Sequence, residues 1–528
     1  MKLFRRAYFP KIIIGLGLLI QFLAIFALVL WASTKISTDP KVLTQNVRLI
    51  ILIVLVIFVV DCVLSLIILN SESADVYKIT WIFFVFALPV LGTLLYLLIA
   101  NKATSKRNRK KVQKYIHPIQ NVPSLPETKQ ALDQRFPYFT GLTSYLESSS
   151  RGGVHQQTSV HYYGLVDDAF QPILEELKKA KHYIFMEFFI VGEGKFFGSI
   201  VEILKEKASQ GVDVRLIYDD VGSLSSIPYG YDEKLRKEGI KCMIYNRFRP
   251  LMDIRMNNRD HRKIMVIDGH TCFTGGFNIA DEYINAEERF GHWKDNAILI
   301  KGRAVENFTT MFLALWNAIS PNKEEIDKSY YASEHFIDEI GGYPETDGFV
   351  QPYTDLPFDG QAVGERVYIN ICNLAKKYLY IATPYLIIDQ EMANAIMYAA
   401  HHGVEVRLLT PHIPDKATVF QITRSFYGPL LKAGVKVYEY TPGFVHEKVF
   451  IADDEIATCG TINLDYRSLY LHLECGTLMM GCSAVEEMRK DYLQTLDLCH
   501  QVQLEEWEHW AKRNKTYWGS LRLFAPLL

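Results

Sequence analysis

Residues 444–453 read FVHEKVFIAD, a mostly apolar run with a histidine and a lysine two positions apart and an aspartate just beyond. Taken alone, the run is an ordinary strand in which His446 is a satisfied core histidine, Lys448 leans to solvent and Asp453 sits in a turn. A twin upstream changes that reading. Residues 260–278, DHRKIMVIDGHTCFTGGFN, place His261, Lys263 and Asp268 at the spacing of His446, Lys448 and Asp453. At equal distances beyond the two aspartates come Gly275, Gly276 and Asn278 in one copy and Gly460, Thr461 and Asn463 in the other.

The surroundings of the two motifs repeat as well. AKHYIFMEFFI (180–190) reads as a strand, FGSIVEILKEKASQG (197–211) as a helix closing on glycine, and VDVRLIYDD (212–220) as the next strand. The same order returns as AKKYLYIATPYLI (375–387), a helix ending at HHG, and VEVRLLTPH (404–412), and LRKEGIKCMIY (235–245) matches LLKAGVKVYEY (430–440). Strands alternating with amphipathic helices predict α/β layers, and the internal match predicts two copies of one unit. The expected organisation is a first lobe over 161–345 and a second lobe with C-terminal helices over 346–528. A basic juxtamembrane linker over 102–160 precedes them.

The first hundred residues are of another kind. Apolar stretches at 12–32, 49–69 and 79–100 are each long enough to cross about 30 Å of hydrocarbon as a helix. A cleaved signal peptide fits the first poorly, because it is too long and two more follow. NKATSKRNRKKVQK, after the third stretch, belongs on the cytoplasmic side, which puts the bulk of the protein there in a multi-pass cell-membrane protein. MKLFRR at the start calls for the same side, which three full crossings forbid. Either the N-terminus lies outside or one early segment does not span. The basic run beside a membrane also attracts anionic headgroups. Asp61 falls inside the second stretch with no evident partner, and Pro89 and Gly92 interrupt the third.

The formal net charge of −2 gives no bulk attraction to nucleic acid, and no basic, aromatic-interleaved patch appears in the soluble region. The eight cysteines are scattered without the short paired spacing of a zinc site or a disulfide framework, and read as small core residues in a reducing compartment.

Residues two apart on a strand face one side, so each histidine projects with its lysine. Two imidazoles and two ammonium groups, brought together when the copies pair, suit a phosphodiester. One histidine attacks phosphorus and carries a covalent intermediate; the other protonates the departing alkoxide and then deprotonates the incoming hydroxyl. Lys263 and Lys448, with Gly276, Asn278, Thr461 and Asn463, are the expected phosphate-binding groups. This chemistry calls for no metal and no cofactor. Asp268 and Asp453 are candidates for the catalytic set and equally for fixing a turn, since IDGHT reads as a tight one. A nucleophilic histidine also needs an acid to fix its tautomer, and Asp295 and Glu474 on the following strands are the candidates.

These residues resemble the phospholipase D superfamily, whose signature is a duplicated His-x-Lys-(four residues)-Asp with a Gly/Asn follower. YNRFRPLMDIRMNNRDHRKIMVIDG, FTGGFNIADEY, RSFYGPLLKAGVKVYEYTPGFVHEK, GTINLDYRS and the terminal LFAPLL look like bacterial cardiolipin synthases, as does LPVLGTLLYLL near the N-terminus. The resemblance runs from about residue 79 to the end. It implies two pseudo-symmetric α/β/α lobes behind N-terminal transmembrane helices, with phosphatidylglycerol and other anionic phospholipids as partners. The implied reaction converts two phosphatidylglycerol molecules to cardiolipin and glycerol. It also implies that His261 and His446 divide the nucleophilic and acid–base roles, with His261 the expected nucleophile. Glu447 stands where the pattern has a small residue, and Glu187 has Ala382 as its counterpart, an asymmetry that would suit the distinction of donor from acceptor. The motif is equally compatible with a hydrolytic phospholipase D or a transferase using another alcohol. A catalytically dead membrane scaffold is opposed by the intact pairs. Oligomeric state is not encoded in any of this.

Overall fold

The computed structural model describes residues 40–71, 75–99, 112–247, 258–321, 326, 328–339 and 341–525, divided between two units, Met1–Lys102 and Ala103–Leu528. The expected span 12–32 and most of the basic run lie outside the described residues. In the first unit, helix α1 (Pro40–Leu69) contains Arg48–Leu69, whose 22 residues and mean hydropathy of 3.3 suffice to cross a membrane.

The third apolar stretch departs from expectation. It is not one spanning helix but two short ones, α2 (Asp75–Ala87) and α3 (Leu91–Ile99), folded back on each other. Pro89 removes a backbone donor and Val90 adopts a left-handed φ of 70°, which ends α2 and reverses the chain. The rings of Trp81 and Tyr96 consequently meet at 5.4 Å, although 15 residues of continuous helix would separate them by about 22 Å. Gly92 permits the close packing, since a Cβ there would meet the Phe84 carbonyl at 2.1 Å. The fold-back also supplies the partner missing from the sequence: Thr93 Oγ1 donates to Asp61 Oδ1 at 2.7 Å.

The second unit holds two matching sheets. In chain order the first lobe contributes β1 (Thr158–Tyr163), β2 (Tyr183–Phe188), β3 (Asp213–Asp219), β4 (Lys241–Tyr245), β5 (Lys263–Ile267), β6 (Thr271–Gly275), β7 (His292–Lys294) and β8 (Ala297–Gly302). The second contributes β9 (Phe349–Asp355), β10 (Tyr378–Ala382), β11 (Glu405–Pro411), β12 (Lys436–Tyr440), β13 (Gly443–Val445), β14 (Val449–Ala452), β15 (Ile456–Gly460), β16 (Glu474–Met480) and β17 (Cys499–Val502). The sheet orders are β1-β8-β6-β5-β2-β3-β4 and β9-β16-β15-β14-β10-β11-β12, with β17 added at the end of the second. Strand for strand these are one topology used twice, as the repeat predicts.

Central strands such as β2, β5, β10 and β14 are buried along their whole length, which explains their continuous apolar runs. Amphipathic helices cover the sheets. Val166–Lys179, for example, buries Val166, Ala169, Phe170, Ile173, Leu174 and Leu177 at helical spacing. Helix Val305–Ile319 is buried on nearly every face, and its core cluster joins Phe185 and Ile264 of one lobe to Ile451 and Met479 of the other. A continuous apolar core of this kind opposes relative movement of the lobes. The segment expected as a linker is folded: helices Pro126–Arg135 and Thr140–Ser149 pack here through buried Leu132, Leu142 and Leu146.

The lobes are stitched by the segments that lead into the two motifs. β13 pairs in parallel with β7, and its counterpart is the parallel bridge between Asp260 and Leu473. The backbone N–H of His446 thereby donates to the Lys294 carbonyl at 2.7 Å, and that of His261 to the Leu473 carbonyl at 2.9 Å. Each histidine thus lies one residue across from the acid-bearing segment of the opposite lobe.

Candidate active site

That stitching determines which acid serves which base. His261 Nδ1 lies 2.9 and 3.0 Å from the two carboxylate oxygens of Glu474, and His446 Nδ1 lies 2.7 Å from Asp295 Oδ2. The pairs are crossed, each imidazole being held by an acid of the other lobe. With Nδ1 so engaged, Nε2 is the nitrogen available for chemistry. Both histidines line one cleft of about 320 Å³. Phe189 packs against His261 at 5.0 Å between ring centroids, while Trp293, Tyr283 and Phe444 surround His446 at 5.4, 5.5 and 5.9 Å.

The electrostatics follow from this enclosure. Burial, reinforced by Lys263, Lys448 and His446, pushes the His261 pKa well below its usual value. Burial and Lys448 bring His446 down to about 4 against the opposing pull of Asp295. Both imidazoles are therefore neutral in the empty site, as a nucleophile must be, and the one that serves as acid has to take up a proton with the anionic substrate. Burial disfavours the charge on Asp295, but His446 and Lys448 outweigh it and keep the carboxyl below its ordinary range. The lysines lie beneath the cleft. Lys263 Nζ donates to the His261 carbonyl at 2.6 Å, and Lys448 Nζ donates to the His446 carbonyl and stands 2.9 Å from His446 Nδ1. Desolvation lowers Lys263 to about 8 and Lys448 to about 7. Each ammonium regains its charge most readily when an anion enters, and each has donors beyond the one that binds a carbonyl.

Several expected roles are corrected by position. Asp268 and Asp453 stand at the far ends of β5 and β14, where Asp268 accepts from the backbone N–H groups of Lys181, His182 and Tyr183 at 2.8–2.9 Å. Asp453 does the same for Lys376, Lys377 and Tyr378 at 2.6–2.9 Å. They pin a turn to the neighbouring strand and do not reach the cleft. Gly276 donates its N–H to Asn296 at 3.3 Å and leaves room for Asp295, whose carboxylate a Cβ would meet at 2.1 Å. Thr461 Oγ1 donates to Glu474 and accepts from the Cys475 N–H at 3.0 Å. These two position the orienting acids, so they are not phosphate ligands.

Asn278 lines the cleft with both ends of its amide engaged, accepting from the Ile190 N–H at 3.0 Å and donating to Tyr283 Oη at 2.7 Å. Asn463 also lines it, with Oδ1 lacking a hydrogen-bond partner. Glu187 is fully buried, 2.6 Å from Arg262, and does not line the cleft. It is a core ion pair, which rules out contact with either headgroup. Glu447 is directed to buried Tyr162, 3.4 Å away, and burial raises its carboxyl to about 7.

The sequence reading passed over His472, Arg467, Tyr283 and Trp293, all on the cleft wall. A signal existed: His472 and Trp293 stand two residues before Glu474 and Asp295, on the same side of an extended segment. Among the described residues, His261, His472 and Glu474 bring possible metal-ligand atoms within 4.8 Å of one another. The Glu474 carboxylate there is already bonded to His261 and Thr461, and ligation would take His261 out of proton transfer.

Duplicated α/β lobes meeting at crossed histidine–acid pairs define a phosphodiester-cleaving enzyme of the phospholipase D type. A family model described as "Cardiolipin synthase, PLD-like domain" matches residues 173–316 and 368–496, and one described as "Phospholipase_D-nuclease N-terminal" matches 49–101. The chain is 39% identical over 87% of its length to an uncharacterized protein of Streptococcus mutans serotype c, 98% of which is covered. It is 33% identical over 88% of its length to a cardiolipin synthase of Geobacillus kaustophilus, 91% of which is covered. In fold it is similar to the crystal structure of a phosphatidylserine synthase from Haemophilus influenzae, with a TM-score of 0.53, 15% identity, and coverage of 70% of this chain and 95% of that one. This chain belongs to the cardiolipin synthase family.

Proposed function

We propose that this protein is a membrane-bound cardiolipin synthase that transfers a phosphatidyl group from one phosphatidylglycerol to the headgroup hydroxyl of another, releasing glycerol. The observation that carries this reading is the crossed pairing of both histidines around one enclosed cleft. One Nε2 attacks phosphorus while the other imidazole, which takes up a proton with the anionic substrate and is held by its acid, delivers that proton to the departing glycerol oxygen. The second imidazole then removes the proton from the acceptor hydroxyl, which displaces the first and restores the enzyme. Lys263 and Lys448 supply positive charge beneath the reacting phosphate as its oxygens gain charge. A cleft of about 320 Å³ lies at the small end of ligand cavities, ~300–1,000 Å³, and suits a headgroup with the acyl chains left outside. Its aromatic lining limits access of water, which favours transfer over hydrolysis.

The helix Arg48–Leu69 suits a membrane anchor. Replacing His446 with alanine tests the chemistry. Turnover of phosphatidylglycerol in detergent micelles is expected to fall by about a thousandfold or more, and turnover equal to wild type would refute an enzymatic role for the motif.

A further inference from the structure

The two motifs place opposite charges at the position between histidine and lysine. Arg262 and Glu447 are both buried, on the side of an extended segment turned away from their histidines. Arg262 lies 2.6 Å from Glu187. Glu447 has no such partner of its own: Oε1 makes no hydrogen bond, and Tyr162 Oη stands 3.4 Å from Oε2. The cation that acts on it is Lys294, the residue before Asp295, whose Nζ donates to the Gly164 carbonyl and to Asp491 Oδ2, both at 2.6 Å. Asp491, on helix Ser483–Leu496, also accepts from Tyr162 Oη at 2.9 Å. One buried ammonium of the first lobe thus serves two carboxyl groups of the second.

Lys294 is placed to control both contacts of His446. Its carbonyl accepts the His446 N–H at 2.7 Å, and the next residue, Asp295, holds His446 Nδ1 at 2.7 Å. The equivalent residue on the other flank is the apolar Leu473, whose carbonyl accepts the His261 N–H. There the anchor falls on the histidine's own segment: Asp219 accepts from Arg259 Nη1 at 3.2 Å and from the Asp260 N–H at 3.1 Å. His261 is held through its backbone, which suits a nucleophile that must be aimed at phosphorus. His446 is held through its acid, which suits a group that must gain and lose a proton.

We infer that Lys294 is a positioning residue for the acid–base half of the reaction, fixing the segment from which Asp295 reaches His446, and that with Glu447 and Asp491 it sets the field in which this imidazole takes up its proton. His261 is the nucleophile in this scheme. Its Nε2–P bond forms as the P–O bond to glycerol breaks, and the glycerol oxygen takes the proton that His446 acquired with the lipid. Burial disfavours the Lys294 charge, but Glu447 and Asp491 outweigh it and keep the ammonium intact. Burial raises the Glu447 carboxyl to about 7 against the pull of Lys294, so Glu447 is the member of the cluster that gains charge near neutral pH. A carboxylate there favours the imidazolium of His446. Asp295, Lys448, Lys263 and His261 also face that imidazole. Asp295 and Tyr162 face Glu447 beside Lys294 and Asp491. Burial keeps the nearby Cys459 and Cys499 thiols and the Tyr440 and Tyr492 phenols neutral. The inference rests on the synthase reading for its substrate, and it is read on glycerol release, which transfer and hydrolysis share.

The test measures glycerol release by the purified full-length protein at saturating phosphatidylglycerol in detergent micelles, between about pH 5.5 and 9. Lys294→Met should lower kcat about tenfold or more while KM, set by Lys263 and Lys448, stays within about twofold, and Lys294→Arg should restore part of the loss. Because release requires protonated His446, kcat falls as pH rises past the pKa of that imidazolium in the lipid-bound enzyme. Glu447→Gln removes a carboxylate that favours the imidazolium, so the fall should begin about half a unit to one unit lower. A folding defect alone lowers the active fraction without moving the fall, and where Lys294→Met does not fold, Glu447→Gln decides. Wild-type kcat in Lys294→Met, or a fall at the wild-type pH in Glu447→Gln, overturns the inference. Phosphatidic acid without cardiolipin from the wild-type protein refutes instead the synthase reading and leaves the comparison of variants standing.

Discussion

His446 and His261 are each clamped at Nδ1 by an acid they could not be assigned from spacing along the chain. The duplicated His-Lys-Asp pattern is legible because strand periodicity puts chemistry-bearing residues at fixed intervals, and Asp295 and Glu474 were legible as orienting acids for the same reason. Which acid meets which histidine depends on how the lobes are stitched through β7, β13 and the bridge from Asp260 to Leu473, and a strand's own sequence does not carry that. The roles of Gly276 and Thr461 were misread for a related cause: their backbone and hydroxyl donors suit phosphate in the abstract but are already engaged by Asn296 and Glu474. A further consequence belongs at this scale. Burial depresses Lys448 to about 7 and Lys263 to about 8, so a lipid phosphate binds with uptake of a proton once the free lysines have lost theirs. As pH rises above about 8, KM for phosphatidylglycerol should climb by up to about tenfold per unit, read from initial rates at fixed detergent composition. A KM flat from pH 7 to 9.5 would contradict phosphate binding by these lysines.

Among the elements, the hairpins β5–β6 and β14–β15 show what the motif aspartates do. Asp268 and Gly269 take φ of 49° and 63°, and Asp453 and Asp454 both take 59°, so the turn needs residues that tolerate the left-handed region. Each carboxylate then gathers three backbone N–H groups from the start of the adjacent strand. Removing it leaves those donors partly buried and unpaired, at a cost of about 2–4 kcal/mol. Asp268→Ala should accordingly shorten the half-life of activity at elevated temperature while kcat at low temperature stays within about threefold of wild type. A large loss of kcat with normal thermal inactivation would instead return Asp268 to the catalytic set. The same scale explains the third apolar stretch, where length and hydropathy alone suggest a span. Pro89 and Gly92 were visible as interruptions, but the reversal of direction depends on Val90 and on packing of α3 against α2, which composition does not reveal.

In the whole second unit, one topology is used twice and neither copy contains a complete site. Each lobe supplies a nucleophilic or acid–base imidazole and the acid for its partner, and the core around helix Val305–Ile319 holds the two halves together. The repeat was legible because its strands and helices recur in the same order. The asymmetry between Lys294 and Leu473 was not, because those residues acquire meaning only when each acid-bearing segment meets the opposite lobe. The central claim is that this paired site transfers a phosphatidyl group between lipids. It is tested most directly by incubating the purified full-length protein with phosphatidylglycerol as the sole lipid and resolving the products. Cardiolipin and free glycerol in equal amounts are the expected result; phosphatidic acid and glycerol without cardiolipin would contradict it.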